Sequence, residues 1–409
     1  MLSWANQFNI CCFLDNNEYQ LPGHHFECML AVDVEAAITA NAGNGLNDLN
    51  DFLTKNKEWC FGHLSYDLKN EIESLSSANP DYIEFPEFFF FIPRIVILLG
   101  RHKMEIGVTT GNAEIVARSI AGWQASAPQQ YNSFTISGRF SREDYLQTIY
   151  DLKKHIVRGD CYEINFCQEF YAIDAHIDPY HIFTSLSKES PNPFACFYKL
   201  NDRYLLCASP ERFLKKSGNK LLSQPIKGTI SRDMSDKDAD NLNRQLLLSN
   251  PKERAENIMV VDLVRNDLAK ICVEGTVQVD ELMGIYSFPQ VYQMISAVSG
   301  IVADHIAPAE IFKATFPMGS MTGAPKKSVM ELIERYERTK RGLFSGSVGY
   351  ISPGGDMDFN VVIRSILYNA GSRYLSFQAG SAITYKSDPE SEYKECLLKA
   401  AAIKKVLNV

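Results

Sequence analysis

No segment of this chain approaches the roughly 18 to 20 uninterrupted apolar residues that a membrane-spanning helix needs. The longest candidates, Phe88 to Ile92 and Ile95 to Leu99, are short runs separated by Pro93 and Arg94. Excess positive charge is also missing. The formal net charge is -8 over 409 residues, so no broad basic surface is at hand to neutralise a nucleic acid backbone or an anionic bilayer. The ten cysteines include no CxxC pair and have no His-rich segment beside them, which argues against a zinc site and for small buried hydrophobes in a reducing compartment. Neither a GxGxxG nor a P-loop occurs, so nucleotide cofactors are not indicated. The first residues, MLSWANQFNI, lack the basic segment and apolar run of a secretory signal. The expectation is a cytoplasmic protein with no membrane and no nucleic acid as partner.

What is present is ample core material, 45% apolar residues, and a mixture of strand and helix signals without a regular β-α-β period, which predicts the α+β class. Residues 1–130 alternate short apolar runs with turn residues, and Tyr82 to Leu99 reads as one or two strands. Small and polar residues from Ala125 to Gly138 mark a linker, bounded as 131–139, ahead of a second region at 140–409. There Ser141 with Asp144 forms a capping pattern, Tyr145, Ile149, Leu152 and Ile156 repeat at helical spacing, and Gly159 ends the run. Further strands are predicted at Tyr162 to Tyr171, Tyr204 to Ala208 and Val348 to Ile351. Helices are predicted at Asp236 to Leu248, Pro251 to Ala269, Ala309 to Phe316, Lys327 to Arg335 and Pro389 to Leu407.

Five clusters carry chemistry. Ser209-Pro210-Glu211-Arg212-Phe213 precedes Pro225-Ile226-Lys227-Gly228-Thr229, and a hairpin turning near Ser217-Gly218-Asn219 would bring Glu211 and Lys227 across from each other. On chemistry alone the pair reads first as a surface ion pair. Glu392, Glu395 and Lys399 share one helix face, and Glu253 and Glu256 lie one turn apart on another. Either set reads as oxygen ligands for a divalent cation, or as ordinary charge pairing along a solvated helix and its dipole. Phe316 to Lys326 is a loop of small residues and hydroxyls suited to offering backbone amides to a carboxylate, though a plain helix-entry loop would look the same. Arg364, placed on a strand after Tyr350, suits a bidentate grip on a carboxylate or a core ion pair.

In this order, SPERF, PIKGT, ERAENxMVVDLVRNDL, FPMGSMTGAPK, GYIS, VVIRS, QAGSA and EYKE resemble the chorismate-binding enzymes, over about residues 140 to 409. The resemblance implies an intertwined two-subdomain α+β fold with large, mainly antiparallel sheets and flanking helices, a variable N-terminal region, and Mg²⁺ as cofactor. The family makes anthranilate, aminodeoxychorismate, isochorismate or salicylate from chorismate. Lysine in the PIxGT position, where anthranilate synthases carry alanine, implies amination to 4-amino-4-deoxychorismate through a lysine-bound intermediate, on the route to 4-aminobenzoate and folate. The isochorismate, salicylate and anthranilate activities stand as alternatives. Ammonia would come from a separate glutaminase subunit, because no Cys-His glutaminase segment is visible.

The resemblance also implies roles. Lys227 would be the nucleophile, desolvated or near positive charge so that its pKa falls, and Glu211 the general acid. Glu256 and Glu395 would bind Mg²⁺ directly, with Glu253 and Glu392 acting through water. Tyr350, Arg364, Lys399 and the Ala379-Gly380 backbone would hold the two substrate carboxylates, with Gly228, Thr229, Gln293 and Gly323 completing the substrate set. Two departures stand out. Gln293 replaces a family histidine and is expected to hydrogen-bond substrate rather than transfer protons. Ala382 replaces a glycine and would narrow the carboxylate pocket.

Overall fold

A computed structural model describes residues 1–19, 26–40, 43, 45–125 and 133–408. The expected linker therefore falls partly outside the described residues, and its last part, Ser137–Gly138, is a short strand.

Two large antiparallel sheets organise the chain. The first runs Gly323–Ala324, Glu163–Ala172, Tyr374–Thr384, Ser365–Asn369, Arg203–Ser209, Phe194–Leu200, Ile10–Asp15, Cys28–Val32, Ile95–Leu99, Met104–Val108, with Ser137–Gly138 paired onto Glu163–Ala172. The second runs Ile226–Ser231, Val291–Ile301, Lys220–Gln224, Arg212–Ser217, Met357–Asn360, Ser347–Ile351, Cys60–Leu64, Phe88–Ile92, Ala36–Ala40, with Gln278–Ser287 paired onto Val291–Ile301. Each sheet mixes strands from both ends of the chain, as an intertwined fold requires. The run from Tyr82 to Leu99 gives two strands, and Pro93-Arg94 carries the chain from one sheet to the other.

Side-chain alternation explains why the first sheet is buried on both faces. Cys12, Met29 and Cys207 enter a core shared with the second sheet, whereas Cys11, Leu30 and Leu206 enter a second core against the helices Arg142–Arg158, Pro179–Glu189, Lys326–Tyr336 and Pro389–Leu407. All ten cysteines are free thiols, and nine are buried. No helix among the described residues is long and apolar enough to cross a membrane.

Local signals set the elements that carry the site. The Ser141 side chain accepts from Asp144 N–H, Tyr145, Ile149 and Leu152 are buried, and Gly159 closes the helix at φ 89°. Asn250 caps Pro251–Ala269 by accepting from Lys252 and Glu253 N–H, and Asp388 caps Pro389–Leu407 by accepting from Ser391 N–H. Proline fits the first turn of both, where its missing N–H costs nothing. The hairpin between Arg212–Ser217 and Lys220–Gln224 forms as expected, with Gly218 at φ 56° in the turn.

Candidate active site

Lys227 lies on the edge strand Ile226–Ser231, at an irregularity where pairing with Val291–Ile301 skips from Ile226↔Ile295 to Thr229↔Gln293. Its side chain is only 11% exposed, and its Nζ donates to Glu163 Oε1 at 3.0 Å. Burial by itself lowers the Lys227 pKa, but Glu163, Glu256 and Glu211 together outweigh it and raise the pKa above the ordinary lysine value. The expected lowering is thus corrected: the ammonium is desolvated but held charged by acids rather than discharged by neighbouring cations.

Glu211 is fully buried just before Arg212–Ser217, where its backbone N–H donates to Ser209 Oγ and its carbonyl accepts from Val361 N–H. Burial pushes its carboxyl up to about 7, offset in part by the Ser320 hydroxyl, the Lys227 ammonium and the Ile226 N–H. A carboxyl that titrates near neutrality can hold a proton and give it away. Its closeness to Lys227 is what the hairpin reading anticipated.

Glu163 was not singled out in the sequence. It opens the strand Glu163–Ala172, is 2% exposed, and its Oε2 has no hydrogen-bond partner. Gly323 explains how it is held. The strand Gly323–Ala324 pairs onto Ile164 and Glu163, and a Cβ on Gly323, whose φ is 145°, would lie 2.1 Å from the Glu163 carbonyl oxygen. Gly323 is therefore needed for backbone approach. Two amides of its loop are already used, Met321 N–H donating to Met318 O and Thr322 N–H to Gly319 O, so fewer are left to offer a carboxylate.

Three of the four predicted acidic ligands lie around another lysine. Lys252 Nζ stands 2.9 Å from Glu392 Oε1, 3.8 Å from Glu256 Oε1 and 4.0 Å from Glu395 Oε2. Glu395 also pairs with Lys399 at 2.7 Å, and Glu392 Oε2 accepts from Ser381 Oγ at 2.6 Å. Gly228 lets the Lys227 strand approach this helix, since a Cβ there would lie 3.1 Å from Glu253 Oε2. Among the described residues no three acidic side chains converge closely enough to share one metal ion; the Lys252 ammonium gathers them instead. Glu256 Oε1 is buried without a hydrogen-bond partner, and burial pushes its carboxyl up to about 7. The donors are all carboxylate oxygens, and Glu256 Oε1, which makes no hydrogen bond and has only Lys252 Nζ at 3.8 Å, is the one most open to a hard divalent cation.

Arg364 is not on a strand. It sits on a bend before Ser365–Asn369 with φ 53°, a left-handed conformation that is strained for a residue with a side chain. Burial lowers its pKa, the Glu395 charge opposes this, and among the described residues its guanidinium has no hydrogen-bond or salt-bridge partner. That is the state expected of a group reserved for an incoming carboxylate. Lys399 Nζ donates to Gly380 O at 2.9 Å, and Cys396 Sγ to Ala379 O at 3.3 Å. A Cβ on Gly380 would collide with Phe166 O at 1.9 Å, so this glycine, like Gly323, is fixed by strand approach; Ala382 lies two residues along the same strand. Gln293 is buried with Oε1 unpartnered, and Thr229 opposite it is exposed.

Tyr350 is not brought to this cluster. It packs against Trp59 and Phe61 on Ser347–Ile351, five strands from the Lys227 strand in the same sheet, roughly 24 Å at about 4.8 Å per strand. The Gly-Tyr-Ile-Ser wording marks a core strand here.

The family model described as chorismate binding enzyme matches residues 11–405. The chain belongs to that family. A rice protein named "Probable aminodeoxychorismate synthase, chloroplastic" is 40% identical over 85% of this chain, which spans only 43% of that longer relative. The Bacillus subtilis "Aminodeoxychorismate synthase component 1" is 31% identical, with 85% of this chain and 76% of the relative covered. The fold is that of anthranilate synthase component I from Streptococcus pneumoniae, with a TM-score of 0.81 at 24% identity over 94% of this chain and 93% of that one. The menaquinone-specific isochorismate synthase of Escherichia coli is also similar, with a TM-score of 0.81 at 16% identity over 99% and 91%.

Proposed function

We propose that this chain aminates chorismate to 4-amino-4-deoxychorismate through a covalent intermediate on Lys227, in the synthesis of 4-aminobenzoate and folate. The observation that carries the reading is a lysine, buried to about nine-tenths, beside a carboxyl that titrates near 7, in a family member whose relatives include proteins named aminodeoxychorismate synthase.

The Lys227 amine attacks the ring of chorismate, and Glu211 delivers its proton to the departing ring hydroxyl, which leaves as water. Ammonia then displaces Lys227 and releases the product. The free Arg364 guanidinium takes one substrate carboxylate, with Lys399 near the other, and Gln293 offers an amide to the ring substituents. Glu256, whose Oε1 makes no hydrogen bond, and Glu395 are the residues that would hold Mg²⁺, and Glu392 and Glu253 would act on it through water. When bound, the cation supplies charge neutralisation for a substrate carboxylate. Ammonia comes from a partner glutaminase subunit, and the unpaired cysteines suit a reducing, cytoplasmic setting.

The test is product identity. The purified chain is incubated with chorismate and Mg²⁺, with and without ammonium, and products are identified by mass spectrometry. Aminodeoxychorismate that appears only with ammonium is the expected result. Isochorismate, salicylate or anthranilate as the product overturns it.

A further inference from the structure

We propose that Glu163 is the proton acceptor for Lys227, the group that converts the resting ammonium into the amine that attacks the ring. This rests on the reading of Lys227 as nucleophile. The need for an acceptor follows from the geometry: a charged ammonium has no lone pair, and here it is held among three carboxyl groups. Two of the three have other duties in the proposed reaction. Glu211 must carry its own proton to the departing hydroxyl, and Glu256 faces the Lys252 cluster with the other acids. Glu163 is the one within hydrogen-bond reach of Nζ, at 3.0 Å. Its Oε2 is buried and, among the described residues, accepts no hydrogen bond, so no other donor there occupies that side of the carboxylate. Gly323 fixes the backbone that carries it, which keeps the donor and acceptor in register.

The protons balance. The Lys227 ammonium gives one proton to the Glu163 carboxylate and becomes a neutral amine. A C–N bond forms to the ring while the ring C–O bond breaks, and the Glu211 proton joins the departing oxygen as water. The intermediate is a secondary ammonium beside a protonated Glu163 and an ionised Glu211. When ammonia displaces the lysine, the amine that leaves recovers its proton from Glu163, and the ion pair is restored; the product ammonium returns one to Glu211 through solvent.

The experiment follows the Lys227 adduct by intact-protein mass spectrometry after rapid quenching, with chorismate and Mg²⁺ but no ammonia. In Glu163→Gln the amide keeps the shape and loses the basicity. Adduct formation at neutral pH should slow by about a hundredfold, rise as solution base takes over at higher pH, and leave KM for chorismate within a few-fold. Glu163→Asp, which keeps the charge but lengthens the reach, should fall between, roughly tenfold below the wild type. If Glu163 only anchors the ammonium, its loss frees the amine, and Glu163→Gln would form adduct at the wild-type rate or faster; that result overturns the proposal. Should Glu163→Gln fail to fold, an aspartate variant that forms adduct at the wild-type rate would overturn it as well. A wild-type chain that makes product with no Lys227 adduct breaks the underlying reading instead, a different outcome from fast adduct in the variants.

Discussion

Lys252 and Lys227 each stand among several glutamates, but one is carried by the first turn of a helix and the other by an edge strand. Lys252 is 31% exposed and spread over three acids at 2.9 to 4.0 Å, the pattern of a shared counter-charge. Lys227 is more deeply buried and engages one acid at 3.0 Å, with a near-neutral carboxyl beside it. Similar side chains thus serve different ends. The helix lysine neutralises a surplus of carboxylates, and the strand lysine is held against one buried acid, Glu163.

The sharpest way to break the contrast is to remove each lysine. Lys227→Ala should cut amination at low ammonia on the order of a thousandfold or more, with partial recovery at high ammonia, measured as aminodeoxychorismate formed. Glu211→Gln should cost about a hundredfold to a thousandfold in kcat. Its pH profile sharpens the point. The protonated form donates, so kcat/KM of the wild type should fall above about 7, and that limb should vanish in the variant. Stability gives a second check on the same group. Its folded pKa of about 7 lies above the ordinary 4.5, so between those values the folded chain binds a proton that the unfolded chain has released. Stability therefore falls as pH rises through that window, and Glu211→Gln should flatten its share of the fall in a series of urea melts.

Smaller effects belong to the helix lysine. Lys252→Met leaves Glu392 and Glu256 without their counter-charge and should lower stability by about 1 to 2 kcal/mol, a figure already discounted for the partial exposure of Lys252. Magnesium should restore most of it, read as a rise in Tm, whereas an unchanged Tm with and without the ion would detach these acids from cation binding. The least change is expected of Gln293→His, within a few-fold of wild-type turnover; a large gain would mean that a proton-transferring side chain is wanted there and Gln293 is a handicap.

Much of the architecture was legible because its boundaries are chemical. Two helices begin at the expected Pro251 and Pro389, and Gly218 turns the hairpin that brings Glu211 toward Lys227. The acid pairs on those helices were readable too, since helical spacing places them on one face. Glu163 escaped notice because it opens a strand otherwise read as core, and its meaning comes from Lys227, 64 positions away in sequence. Lys252 escaped because, within its own helix, it is an ordinary i,i+4 partner of Glu256; the acids that give it significance come from the far end of the chain. The bend at Arg364 had no glycine to announce it. Tyr350 shows the reverse, a motif residue whose half-buried side chain packs against Trp59 and Phe61, five strands from Lys227.

The proposed reaction turns on one bond, from Lys227 Nζ to the ring. Purified chain given chorismate and Mg²⁺ without ammonia, quenched and digested, should yield the Lys227 peptide heavier by chorismate less one water, and the added mass should disappear when ammonium is supplied. An unmodified Lys227 peptide in a sample that goes on to form aminodeoxychorismate would contradict it.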